Sequence, residues 1–204
     1  MGLGALLIHQ SLGLPAESIG RPTHTTRTHQ IQSAPAPVIS AQPDHDDKAL
    51  KRSAPMRLSI PSIGVSAPFT KIGLAASGQL EAPPLDDTNL VGWFKGGASP
   101  GERGSAIVVG HVDTKTGPAV FANLYKLEAG DTIDITREDG SVAHFKIDSS
   151  DTFSKADFPD EEVYSDTPTP ELRLITCGGT FNRTTKDYEA NLVVFAHLVA
   201  RPGD

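Results

Sequence analysis

One cysteine, few aromatics and no long apolar run set the first limits on this chain of 204 residues. A lone Cys177 forbids an intramolecular disulfide, so cysteine usage says nothing about redox compartment. It leaves either a small buried hydrophobe or a reactive thiol. Aromatic residues make up only 6%, against 19 Gly and 16 Pro; many turns and a β-rich fold follow more naturally than a helical bundle. There is no basic footprint. The formal net charge is -7 with the charges scattered, which argues against nucleic acid as a partner. No repeat of fixed period is present. The opening apolar run, Gly2 to Ile8, is far shorter than the roughly 20 residues that span a bilayer. It lacks the preceding Lys or Arg of a signal peptide and the Ser or Thr at position 6 of a myristoylation site. Residues 1–14 therefore read as a frayed terminus or as the remnant of a truncated membrane anchor.

What is present divides into a tail and a core. From 15 to 55 the sequence is Pro, Ser, Thr, Gln, His and Asp with little periodicity, including the extended spacer Ala34-Pro35-Ala36-Pro37. Such a segment cannot bury enough apolar surface to offset its ordering entropy and reads as a disordered linker. Its histidines, with His9 before them, are expected to be solvated and not metal ligands. The core is expected over 56–200, with 201–204 as a tail. Alternation predicts strands at Arg57 to Ile60, Val65 to Ile72, Gln79 to Ala82 and Asn89 to Phe94. Gly104 to Gly110 reads as a buried central strand, and Val120 to Leu127 as one short helix. Asp131 to Arg137 and Val142 to Asp148 form a hairpin about Asp139-Gly140, and the last strands are Leu172 to Cys177 and Leu192 to Val199. Short strands separated by turn signals predict an all-β, closed or nearly closed barrel.

Two of these strands end in reactive residues. One delivers His111 and the other Cys177, followed by Gly178-Gly179. Strand ends on a rigid barrel suit side chains that must hold a fixed geometry, and the glycines allow a bend or the close approach of a substrate backbone. A thiol needs a nearby cation to become thiolate at neutral pH. His144 and His197 lie within strands and read as solvent-facing and structural respectively.

Leu174-Ile175-Thr176-Cys177 resembles the nucleophile motif of the sortase family, a strand ending in Thr-Cys. Ala106-Ile107-Val108-Val109-Gly110-His111 resembles the family's strand that ends in its catalytic His, with Pro100-Gly101-Glu102 as the turn before it. Val112-Asp113-Thr114, Gly117-Pro118-Ala119-Val120-Phe121 and Thr176-Cys177-Gly178-Gly179-Thr180-Phe181, running on to Tyr188 and Asn191-Leu192-Val193-Val194, are similar to the class F type of high-GC Gram-positive bacteria. The resemblance covers about Met56 to Ala200. It implies an eight-stranded barrel with one or two short helices, and an N-terminal single-pass anchor on the extracytoplasmic face of the membrane. It further implies a cysteine transpeptidase without cofactor or metal. Cys177 would attack a Leu-Pro-x-Thr-Gly-like sorting signal to form a thioester, and an amine of a peptidoglycan precursor or pilin would then receive the acyl group. That scheme agrees with nucleophilic catalysis by a thiolate and with His111 as acid and then base.

One position departs from the family. The arginine expected to face the cysteine falls at Asn191. Arg183, in the loop before it, and Arg173, on the same face as Cys177 by period-2 geometry, are candidates to stabilise the oxyanion, as is the Asn191 amide. Thr176 adjoins the nucleophile, and Asp113 either orients His111 or caps a turn. Gly97-Ala98-Ser99-Pro100-Gly101 formally matches a serine nucleophile elbow, but Pro100 has no N–H to give the oxyanion hole. Glu161-Glu162 reads as a solvated helix start. The rival readings are a cysteine protease that only hydrolyses and a non-enzymatic barrel that binds peptides or glycans.

Overall fold

Eight strands close a barrel in the computed structural model, which describes residues 49–200. In chain order the strands are β1 (Pro55–Ile60), β2 (Val65–Ile72), β3 (Val91–Phe94) and β4 (Gly104–Gly110), then the two-residue pair β5 (Asp113–Thr114) and β6 (Gly117–Pro118). They continue with β7 (Thr132–Arg137), β8 (Val142–Ser154), β9 (Pro170–Asn182) and β10 (Asp187–Val199), and one short helix, α1, spans Asp160–Tyr164. Around the barrel the order is β1-β2-β3-β4-β9-β10-β8-β7, with β5 and β6 forming a separate small ribbon. The pairings β2–β3 and β4–β9 are parallel and the rest antiparallel. The expectations for residues 1–48 and 201–204 lie outside the described residues. Among the described residues no helix is long and apolar enough to cross a membrane.

Alternation separates two cores. Leu58, Ile60, Ile133, Ile135, Phe145, Leu172, Leu174 and Val194 fill the barrel interior. Their neighbours of opposite parity on β4, β9 and β10, Ile107, Ile175 and Val193, form a second cluster on the outer wall, covered by Val163 of α1 and flanked by Phe153, Phe158 and Phe195. The outer apolar rows explain why β4 and β9 read as nearly continuous hydrophobic runs: both of their faces are covered.

The structure differs from the sequence reading in three respects. The strand expected at Gln79 to Ala82 reduces to a single bridge, Leu74 with Leu80. The helix expected over Val120 to Leu127 is a chain of tight turns (Leu124 N to Phe121 O, Leu127 N to Leu124 O) with one 3-10 turn at Leu124–Lys126. Phe121, Leu124 and Leu127 recur at helical spacing, but all three are buried in the barrel core. The third difference is length. β8 runs on to Ser154 and β9 to Asn182, because main-chain pairing with β10 sustains their polar ends.

Residues 49–54, within the span read as linker, lie along the barrel. Leu50 N donates to Gly101 O at 2.7 Å and Ser53 N to Ser99 Oγ at 3.1 Å. Arg52 bonds Glu102 and the carbonyls of Lys95 and Gly97. Beneath this strap Arg137 is 1% exposed and donates to the carbonyl of Lys51. Burial pulls its pKa down, opposed by Asp139 and Glu102. Arg137→Ala removes a buried stem as well as the strap's donor. It is expected to cost about 2–4 kcal/mol, as large-to-small changes in cores do, read as a lowered denaturant midpoint.

Candidate active site

The parallel pairing of β4 with β9 leads toward both reactive residues. Val108 is opposite Leu174 and Val109 opposite Ile175. That last pair stands two residues before His111 on one chain and two before Cys177 on the other. Cys177 shares parity with the outer-wall residue Ile175 of its own strand, so its side chain leaves the barrel on the outer face, while His111 directly follows the last residue of β4. Pairing with β4 stops at Val109 and Ile175, while β9 and β10 continue as a two-stranded arm to Asn182 and Asp187. Cys177 therefore lies at the rim of the barrel but midway along its own strand, not at a strand end.

The glycines after Cys177 make a bulge. Ala190 pairs with Gly178 and Tyr188 with Phe181, so β9 carries one extra residue. Gly179 takes φ +73°, and a Cβ there would stand 2.9 Å from that of Ala190.

His111 is held by its surroundings. Nε2 lies 2.7 Å from the carbonyl oxygen of Pro83, in the loop between β2 and β3. A carbonyl only accepts, so Nε2 carries hydrogen, and Nδ1 is the nitrogen left to exchange a proton in the neutral ring. The backbone beyond it turns back, with Phe121 N donating to His111 O at 3.0 Å.

Cys177 is half-buried. Burial pushes its thiol up, Lys155 pulls it down, and Asp187 and Asp113 push it up again. The cation beside it is one that sequence reasoning missed. Lys155 Nζ lies 3.8 Å from Sγ and bonds both oxygens of Asp187 at 2.8 and 2.9 Å. Nothing local in the sequence marks Lys155. It follows the end of β8, which reaches β9 only across β10.

Of the other candidates, the two arginines lie away from the thiol, while Asn191 and Asp113 stay near it. Arg173 shares the face of Cys177, but four residues back, roughly 13 Å along the strand. Its guanidinium is bound to Glu171 Oε2 at 2.5 Å and stacked 4.7 Å over Phe195. Arg183 is exposed in the turn at the tip of the arm, six residues beyond Cys177 and thus on the order of 20 Å away. Asn191 is directly opposite Cys177 on β10; its side chain is 3% exposed, with Nδ2 buried and without a partner. Thr176 has the interior parity of Leu172 and Leu174, its hydroxyl buried and also without a partner. Asp113 accepts from the Tyr188 hydroxyl at 2.5 Å, which pushes that phenol up to about 12; the bond ties the β5–β6 ribbon to the arm. Ser99 of the elbow-like segment is fully buried, donating to Glu102 and accepting from Ser53 N, which makes it a structural hub.

The family model of the sortase domain matches residues 58–199. No curated protein matches the sequence. Among solved structures, sortase A from Corynebacterium diphtheriae is similar at a TM-score of 0.57 and 22% identity, over 76% of this chain and 65% of that one. A Clostridium perfringens sortase D5 transpeptidase is similar at 0.53 and 24% identity, over 72% and 79%. Sortase C-1 from Actinomyces oris is similar at 0.55 and 21% identity, over 71% and 73%. At these identities the structures establish a common fold, and the chain spans just under two thirds of the Corynebacterium protein.

Proposed function

The chain belongs to the sortase family, and from that premise we propose that it is a cysteine transpeptidase acting on C-terminal sorting signals. The observation that supports this reading is the parallel pairing of β4 with β9, whose last pair, Val109 with Ile175, stands two residues before both His111 and Cys177.

In the proposed cycle the Cys177 thiolate attacks the carbonyl carbon of a scissile peptide bond, taken as Thr-Gly in a Leu-Pro-x-Thr-Gly-like signal. A C–S bond forms and the carbonyl electrons move to oxygen. Collapse expels the C-terminal fragment as an amine, which takes its proton from the His111 imidazolium. An incoming amine then attacks the thioester and gives its proton to His111, and the C–S bond breaks to return the thiolate. The amine is assigned to a peptidoglycan precursor or a pilin, and the enzyme to the extracytoplasmic face of the membrane, held there through a segment before residue 49. The class F subtype rests on the motifs around Val112 to Phe121 and Cys177 to Phe181.

The test is an acyl-enzyme trap. The protein is mixed with a library of sorting-signal peptides, with and without triglycine, and followed by mass spectrometry. The expected result is a mass increase confined to Cys177 and a ligated product with triglycine. Hydrolysed peptide alone, with triglycine present, would make it a protease. No adduct with any peptide would favour a binding barrel.

A further inference from the structure

The proposed reaction develops negative charge on an oxygen attached to the carbon that Sγ has just bonded. A guanidinium is expected there from the family resemblance, and neither arginine candidate among the described residues stands beside the thiol. Arg173 is committed to Glu171 and Phe195, and Arg183 is at the far tip of the arm. What stands beside the sulfur is Lys155.

Resting on the function proposed above, we propose that Lys155 is the cationic oxyanion donor of this site, entering from the end of β8 in place of an arginine on β10, with Asp187 as its positioning residue. An ammonium group has three N–H donors. Two reach the oxygens of Asp187, and the third direction is open to sulfur 3.8 Å away. The oxyanion is only two bonds from Sγ. A small rotation of the lysine stem thus brings Nζ to the roughly 2.7–3.1 Å required of an oxyanion donor.

The arrangement also answers how a flexible lysine holds one place. Asp187 is fixed by the Tyr188 backbone N–H at 2.8 Å. The Lys155 side chain is 14% exposed and that of Asp187 25%, so solvent screens the pair little. Ser154 caps the turn that begins at Lys155, accepting from Ala156 N at 3.2 Å. The backbone under the lysine is thereby set at the point where β8 leaves Ala190 of β10. Asn191, with its unpartnered Nδ2, remains next to the site as a neutral donor, but a full charge stabilises an oxyanion more than an amide does.

Lys155→Met, Lys155→Arg and the double change Lys155→Met with Asp187→Asn are compared with wild type in the full chain. The substrate is a fluorogenic Leu-Pro-x-Thr-Gly peptide series. Cys177 alkylation by iodoacetamide is followed in parallel across pH, the thiol being faced by Lys155, Asp187, Asp113 and Tyr188. Lys155→Met is expected to lower kcat about 100- to 1,000-fold with KM nearly unchanged, and to slow alkylation because Asp187 is left uncompensated. Lys155→Arg is expected to retain most of the turnover. The double variant removes both charges, so alkylation is expected to return toward wild type while kcat stays low. Recovery of kcat in the double variant would overturn the inference, since Lys155 would then only neutralise Asp187. Unchanged kcat in Lys155→Met would also overturn it while leaving the transpeptidase reading intact. A wild-type protein that cleaves none of the peptides would remove that reading, and this inference with it.

Discussion

Cys177→Ala is expected to abolish peptide cleavage and acyl-enzyme formation while leaving the thermal midpoint within a few degrees of wild type. The thiol is half-buried and has one weak polar contact, at 3.8 Å, so its loss opens little space. The chemistry has no substitute for it among the described residues, where Cys177 is the one cysteine. His111→Ala is expected to lower turnover by about 100- to 10,000-fold, the usual range for a positioned acid–base group. It should also free the loop carrying Pro83, whose carbonyl loses its donor. Peptide cleavage measured beside circular-dichroism melting separates the two effects. A Cys177→Ala protein that still turns over would end the enzymatic reading.

Gly110→Ala tests how the barrel aims the histidine. A Cβ at Gly110 would stand 2.5 Å from Phe121 Cδ2 and 2.9 Å from Val120 Cγ1. Phe121 is 1% exposed and bonded through its N–H to His111 O, so the ring cannot retreat without moving the residue beside it. Overpacking of this kind costs about 1–3 kcal/mol. A displacement near 1 Å at a reacting group costs about 100-fold in rate. The expected outcome is a protein that remains folded at 25 °C but has lost turnover far beyond its loss of stability. Gly140→Ala is the control. With φ +83° and nothing within 4 Å it strains a distant turn, so it should lower the melting temperature and spare kcat.

The parts of this molecule that can be read from sequence are those where burial imposes a period. The hairpin of β7 and β8 as far as Asp148 carries its faces in its side chains, and β4 is marked by an apolar run buried on both faces. Cys177 and His111 stood out because each ends such a run. The continuation of β9 through Thr180 to Asn182 could not be read this way: those residues are largely exposed, and only their main-chain partners on β10 make them a strand. Phe121, Leu124 and Leu127 misled in the opposite sense, since a buried chain of 3-10-like turns imitates helical spacing. Lys155 left no local trace at all. Its meaning comes from a barrel order that places β8 one strand away from β9, and no window along the chain contains that fact.

The strap at residues 49–54 has a mechanical consequence. It is fastened to Gly101, Ser99, Glu102 and Arg137, beside the end of β4 where the strand begins. His111 follows the other end, seven residues on, about 23 Å at the rise of a strand. Tension arriving along the chain from its N-terminal side is thus taken up at the base of the barrel. It reaches the rim only by shearing the hydrogen bonds that hold β4 between β3 and β9. A pull on the tail should therefore detach the strap from Arg137 before it disturbs the spacing of His111 and Cys177.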